Sequence, residues 1–151
     1  MESYEITSAS PADWDAIRAL LAGTGLPVAG LEPHLRSTIV ARDPTGILGC
    51  AALELYGDDA LLRSVAVTAD RRGEGIGVAL AAAAVALAHQ HKVLSLYLLT
   101  ETAEDFFRRL GFEGVGRDTV PASVRQSAEF TSACPEDAAV MLLHLRRPEP
   151  C

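Results

Sequence analysis

The chain has 151 residues, of which 49% are apolar and 22% charged. These values are typical of one globular domain that buries a core without disulfides or metal ions. The formal net charge of −7 argues against a general nucleic-acid binder, because no excess of basic residues exists to neutralise a phosphate backbone. We expect one domain over residues 1–147 and a frayed tail over 148–151.

The apolar runs and the cysteines favour a cytoplasmic protein without a membrane partner. Glu2 and Glu5 interrupt any signal-like run, and the longest apolar stretch, Val78–Ala88, is too short to span a bilayer. The chain has three cysteines: Cys50, Cys134 and Cys151. Their odd number and wide spacing indicate neither a disulfide framework nor a metal pair, so we expect no metal ion.

The N-terminal half predicts one helix and an antiparallel meander. A strand at Tyr4–Ser8 precedes a helix that Ser10 caps and Pro11 begins. After a loop and a short helical turn, turn-forming residues separate three apolar, strand-like segments. These strands are expected at Ser37–Arg42, Ile47–Tyr56 and Ala60–Val67.

The C-terminal half alternates strands and helices. A helix begins after a glycine-rich loop and runs to about His91. The expected elements that follow are a strand at Leu94–Leu99, a helix at Ala103–Leu110, a strand at Phe112–Arg117, a short helix near Ala122–Ala128 and a strand at Ala139–Leu145. This order predicts a mixed α/β (α+β) domain around one sheet.

The most informative segment is the loop Arg71–Gly77, which joins the last meander strand to an alanine-rich helix. Three glycines at alternate positions leave backbone N–H groups uncovered at a helix start, which predicts an anion site. A dinucleotide loop needs Gly-x-Gly-x-x-Gly after an early strand, and an NTPase loop needs Gly-Lys-Ser/Thr. The loop matches the dinucleotide pattern only weakly, and it lacks the NTPase pattern. A glycine-rich helix start without a ligand is the less favoured alternative.

The stretch Arg72-x-x-Gly75-x-Gly77 resembles the acyl-CoA pyrophosphate loop of the GNAT family of N-acetyltransferases. Leu-Gly-Phe at 110–112 follows at the distance typical of that family, and the resemblance covers essentially the whole chain. It implies a single GNAT-like domain with a mixed, mostly antiparallel sheet of six or seven strands flanked by helices. It also implies acetyl-CoA as cosubstrate, and a homodimer, since the family often pairs through its sheet.

Shorter segments resemble two groups within the family. Gly25–Pro27, Leu61–Val67, Tyr97–Thr100 and Glu129–Pro135 look like acetyltransferases associated with arsenic-resistance operons. The stretch Leu99–Phe107 is similar to the acetyltransferase domain of N-acetylglutamate synthases. Both resemblances imply a small, amino-acid-like acceptor.

The resemblance implies which residues hold the cofactor. The pantetheine arm would pair with the backbone of Val65 and Val67, and a backbone N–H of this strand, at Val65, would stabilise the oxyanion. Thr100 stands where the family has an asparagine, and Phe107 where it usually has a tyrosine general acid. The pyrophosphate would lie on the backbone of the loop: Arg72, Gly73, Glu74, Gly75, Ile76, Gly77 and Val78.

Four residues are candidates on the acceptor side. Glu54 is the candidate base for the acceptor ammonium, with a solvent-facing strand glutamate as the alternative. Arg63 suits a substrate carboxylate, with a surface arginine paired with Glu54 or Asp59 as the alternative. Arg125 and Glu129 are candidates for the acceptor pocket, although such residues more often form a solvated face.

The sequence therefore predicts an acetyl-CoA-dependent N-acetyltransferase that acts on a small acceptor by direct attack in a ternary complex. The acceptor would be glutamate-like or an organoarsenical or phosphinic amino acid. The alternative is a non-catalytic acyl-CoA-binding sensor, which the missing tyrosine at position 107 favours. A protein-lysine acetyltransferase is less favoured, because Arg63 in the cleft would repel a lysine.

Overall fold

Seven strands form one sheet in the order β1-β2-β3-β4-β5-β7-β6. The strands are β1 (Glu5–Ser8), β2 (Thr38–Asp43), β3 (Gly46–Tyr56), β4 (Asp59–Val67), β5 (Ser95–Thr100), β6 (Glu113–Val115) and β7 (Ala139–His144). All neighbouring pairs are antiparallel except β4 and β5. The mixed, mostly antiparallel sheet that the sequence predicts is thus confirmed in this computed structural model, which describes residues 3–133 and 137–145.

In the described part of the chain, four α-helices flank the sheet: α1 (Trp14–Thr24), α2 (Ile76–Gln90), α3 (Glu104–Arg109) and α4 (Ala122–Arg125). A short 3-10 turn at Pro11–Asp13 leads into α1, and the Ser10 N–H donates to Asp13 Oδ2 at 2.9 Å, as the capping pattern predicts. Helix α1 ends at Gly25, whose φ of 76° lies in the left-handed region.

The sheet separates two apolar layers. Helices α2 and α3 cover one face, where Leu80, Ala84 and Phe107 pack on side chains of five strands. Helix α1 covers the other face through Ile17 and Leu21. On the same side as α1, the C-terminal helix α4 packs on β4, β5 and β7 through a separate cluster: Leu61, Tyr97, Val120, Val124, Val140 and Leu142.

Two C-terminal elements are three residues shorter than predicted, whereas α3 and β7 are shorter by only one or two residues. The strand expected at Phe112–Arg117 spans only Glu113–Val115, because Arg117 begins a 3-10 turn and donates to the carbonyl O of Ala138 at 3.3 Å. The helix expected near Ala122–Ala128 ends at Arg125, and a π-helical segment follows at Glu129–Ala133.

Some predictions lie outside the described residues, namely the frayed tail at 148–151 and the cysteines at 134 and 151. Within residues 3–133 and 137–145, no helix has both the length and the apolar character needed to cross a membrane.

Candidate functional site

The candidate site is a cleft where β4 and β5 separate. Their parallel pairing covers only Asp59–Leu61 against Ser95–Tyr97. Beyond these residues the two strands diverge and enclose a cleft of about 500 Å³. Its walls include Ser64–Val67 of β4 and Leu98–Thr100 of β5. Since the paired sheet stops here, the backbone of β4 presents an edge that β5 does not cover.

A β-bulge in β4 accompanies this divergence. In the register of β3 and β4, Ser64 and Val65 stand opposite the single β3 residue Ala51. Ser64 has a φ of 61°, a left-handed conformation that costs an L-residue about 1–2 kcal/mol. Such strain persists only where the surrounding structure holds it, and it is concentrated at functional sites. The bulge bends β4 away from β5 and opens the cleft.

The glycine loop lies at one end of the cleft and begins α2. Gly73 and Gly75 both have a φ of 84°, which only glycine adopts without strain. The first intrahelical bond runs from the Ala79 N–H to the carbonyl O of Gly75 at 3.0 Å. The N–H groups of Ile76–Val78 precede it in the first helical turn, where no intrahelical acceptor is available to them. A second cavity of about 700 Å³ adjoins this helix start, so the predicted anion site faces open space.

The two arginines of the loop have different surroundings. Arg71 is buried and bonds to Glu74 at 3.0 Å and to Asp43 at 3.1 Å, which fixes the loop to the end of β2. Arg72 is exposed, lines both cavities and donates from Nε to the carbonyl O of Val67 at 3.3 Å. Arg72 is therefore the loop cation that faces the cleft, whereas the side chain of Glu74 pairs with Arg71.

The remaining predicted cofactor residues line the same space. Val65 and Val67 line both cavities, and Phe107 lies where the cavities meet. Thr100 lines the first cavity, but its Oγ1 accepts the Ala103 N–H at 3.0 Å. Phe107 is 7% exposed and packs edge-on against Phe112, with ring centroids 5.6 Å apart. The cavity wall at position 107 is therefore apolar.

Arg63 lies at the other end of the cleft, with a side chain that is 0% exposed. All three guanidinium nitrogens already donate: Nη1 to Glu54 Oε2 at 2.8 Å, Nε to Ser64 Oγ at 3.1 Å and Nη2 to the carbonyl O of Pro27 at 3.2 Å. Nε also lies 3.4 Å from Glu129 Oε2. One guanidinium thus joins β3, β4, the loop after α1 and the segment after α4.

Glu54 is 1% exposed, and this burial excludes the solvent-facing alternative. Its Oε2 binds Arg63, and its Oε1 accepts the Tyr56 hydroxyl at 2.5 Å and lies 3.9 Å from His34 Nε2. Burial, together with the hydrogen bond to this carboxylate, raises the pKa of Tyr56 above its usual range, so the phenol stays a donor. Glu54 lies behind Arg63, while the carboxylate that lines the cleft beside Arg63 is Glu129.

The structure does not bring Arg125 to this cleft. Arg125 is exposed and lines a separate shallow cavity with Arg117, Asp118 and Phe130. Glu129, by contrast, is 4% exposed and lines the cleft. The wall formed by Thr24–Pro27 has no predicted site residue, because a backbone carbonyl such as that of Pro27 leaves no signal in a sequence. No cluster of three His, Cys, Asp or Glu side chains suited to a metal ion occurs among the described residues.

Comparison with known families identifies the class of protein. A sequence model of the acetyltransferase (GNAT) domain matches residues 34–114, which is more than half of the chain. The chain therefore belongs to the GNAT family, and the family prediction made from the glycine loop is confirmed. No curated protein matches the sequence.

Solved structures share the whole fold. N-acetylglutamate synthase from Neisseria gonorrhoeae, complexed with coenzyme A and N-acetyl-glutamate, has a TM-score of 0.83 at 22% identity, over 97% of this chain and 36% of that one. Rv2747 from Mycobacterium tuberculosis, in complex with CoA and NLQ, has a TM-score of 0.79 at 25% identity, over 94% and 99%. A GNAT acetyltransferase from Staphylococcus aureus Mu50 has a TM-score of 0.76 at 15% identity, over 95% and 100%. The chain thus spans about a third of the synthase.

Proposed function

We propose that this protein is an acetyl-CoA-dependent N-acetyltransferase that acylates the amino group of a small, amino-acid-like acceptor. The observation that carries this proposal is the continuity of the two cavities. They share Val65–Val67, Arg72, Thr102, Ala103 and Phe107 as lining residues. A donor bound at the glycine loop therefore reaches the buried ionic groups at the far end along a single path.

The donor half of the site suits coenzyme A. The pyrophosphate would lie on the N–H groups of the loop and the first turn of α2, with Arg72 beside it. The pantetheine arm would add to the uncovered edge of β4 at Val65 and Val67, as an extended peptide adds to a sheet edge. A backbone N–H near Val65 would then donate to the oxyanion.

The acceptor half suits direct attack in a ternary complex. An acyl-enzyme route would need a reactive nucleophile, but burial raises the pKa of the Cys50 thiol to about 12, and its Sγ donates to the carbonyl O of Ser64. The sequence resemblances favour a glutamate-like acceptor or an organoarsenical or phosphinic amino acid. The cytoplasmic location, the homodimer and the arsenic link stay predictions.

The test is acceptor-dependent release of thiol from acetyl-CoA. The purified protein is incubated with a panel of amino acids, phosphinic and arsinic analogues, and polyamines, and calorimetry measures CoA binding separately. We expect release with at least one amino-acid-like acceptor and only background hydrolysis without acceptor. Tight CoA binding without transfer to any amine would support the sensor alternative, which the apolar side chain of Phe107 favours.

A further inference from the structure

Two carboxylates share one arginine at the acceptor end of the cleft. Arg63 lies between Glu54 at 2.8 Å and Glu129 at 3.4 Å, and all three side chains are at most 5% exposed. Arg63 is the cation that both carboxylates share, and buried charges of this kind are stable only when they are paired.

The two carboxylates differ in access. Glu54 has both oxygens occupied, by Arg63 and by Tyr56, and it lies behind the arginine. Glu129 lines the cleft itself, beside Ser64 at the bulge. Ser64 directly precedes Val65. At Val65, the edge of β4 that β5 leaves uncovered would face the bound acetyl-CoA. Glu129 is therefore the carboxylate of this cluster that a bound acceptor meets.

We propose that Glu129 receives the acceptor's ammonium and takes its proton, with Arg63 and Glu54 as the residues that position it. This inference rests on the proposed acetyl transfer and adds the identity of its base. It also narrows the acceptor. The buried carboxylate of Glu129 lines this end of the cleft, so a cationic amine is favoured there over an anionic group of the acceptor.

The protons and electrons of this acetyl transfer balance without a further reagent. The ammonium gives one proton to the Glu129 carboxylate, and the freed nitrogen lone pair forms a bond to the thioester carbonyl carbon while the π electrons move to oxygen. When the carbonyl re-forms, the C–S bond breaks and its electron pair leaves on sulfur. The nitrogen then passes its second proton to the thiolate, and Glu129 returns the first to water. This route explains how Phe107 can stand where the family usually has a tyrosine.

The groups that face Glu129 set the conditions of the test. Among the described residues, Arg63 attracts the charge of Glu129, Glu54 repels it from behind the arginine, and Tyr56 and His34 contact Glu54. Glu129→Gln keeps the shape of the side chain but removes the base. Glu113→Gln is the matched control, because Glu113 is an exposed glutamate on β6, outside the cleft.

The experiment measures kcat and KM between pH 6 and 9 for the wild type, Glu129→Gln, Glu129→Asp and Glu113→Gln, with the best acceptor from the panel. We expect Glu129→Gln to lower kcat/KM about 10²–10⁴-fold at pH 7, the usual contribution of a positioned base. Its log kcat/KM should then rise by one unit per pH unit up to the acceptor's own pKa, because solvent must deprotonate the amine. Calorimetry should find CoA affinity unchanged, and Glu129→Asp should regain part of the rate.

The experiment distinguishes a failure of the proposed function from a failure of this inference alone. A wild type that transfers acetyl to no amine would refute the proposed function and this inference with it. An active wild type beside an equally active Glu129→Gln, with the same pH profile, would refute only the inference. If Glu129→Gln misfolds and no longer binds CoA, the kinetic constants of Glu129→Asp decide whether the proposal holds. Its retracted carboxylate should lower kcat without changing KM for acetyl-CoA, and an unchanged kcat would overturn the proposal.

Discussion

Replacing Arg63 by methionine should be among the most destabilising single substitutions in this chain. The side chain is fully buried, and its loss removes the cation that Glu54 and Glu129 share. Removing one partner from a buried ion pair costs about 3–5 kcal/mol, because a buried charge stays uncompensated. For a domain of this size, 1 kcal/mol shifts Tm by about 2–4 °C, so we expect a fall of roughly 6–20 °C.

Arg108→Met supplies the matched control for this experiment. Arg108 pairs with Glu104 at 3.6 Å, but the two side chains are 55% and 47% exposed, so its loss should cost less than about 1 kcal/mol. Urea unfolding at pH 7, followed by circular dichroism, compares both variants with the wild type. The double variant Arg63→Met/Glu54→Gln should recover part of the loss, because it removes one orphaned charge. Equal costs for Arg63→Met and Arg108→Met would refute the reasoning.

Three further substitutions test the loop, a capping ion pair and the leaving group. Gly75→Ala should destabilise by about 1–2 kcal/mol because its φ is 84°, whereas Gly23→Ala, in open space without a positive φ, should stabilise by about 0.4–1 kcal/mol. Urea unfolding that reverses this order contradicts the argument. Asp13→Asn removes the 2.8 Å pair with Arg42, whose hydrogen bond lowers the pKa of Asp13. The stability from this lowered pKa is complete above the unfolded value of about 3.9 and is lost as the pH falls through the lower, folded value, so the variant and the wild type should converge in acid, below the folded pKa. A pH-independent difference in thermal melts would exclude this linkage. Phe107→Tyr should change kcat less than about threefold, because a thiol with a pKa of about 8.5 leaves without a general acid. A rise of more than tenfold in thiol release would show that protonation of the thiolate limits the rate.

Local patterns predict most of the strands and helices of this fold. Turn residues separate the meander strands, and helical spacing of apolar residues marks α1, so these elements lie close to their expected bounds. The positive φ of Gly73 and Gly75 could be expected from the sequence, because glycine adopts such a conformation without strain. The anion site was predictable because the geometry of a helix start is a local property, whereas the family and its sheet type followed from the resemblance of this loop and of Leu-Gly-Phe at 110–112 to the GNAT pattern.

The burial of Arg63 was not predictable, because it depends on register across the bulge. Strict alternation along β4 would place Arg63 and Val65 on one face of the sheet. The extra residue at Ser64 breaks that alternation, and Ser64 gives no signal for it, since serine rarely adopts a φ of 61°. Glu129 was a candidate for the acceptor pocket, but its burial beside Arg63 was not predictable, because it follows a helix of only four residues and is placed by long-range contacts with β4.

The two walls of the cleft are held by different forces, and under the proposed function this difference should separate donor binding from acceptor binding. The donor end is built on α2, whose apolar side chains pack on the sheet. The acceptor end consists of the loop after α1 and the segment after α4, and Arg63 contacts both, through the carbonyl O of Pro27 and through Glu129. Loss of this one guanidinium should therefore raise the KM for the acceptor while CoA affinity is retained in whatever fraction stays folded. A variant whose CoA affinity falls as much as its acceptor affinity would show that the two walls form one unit.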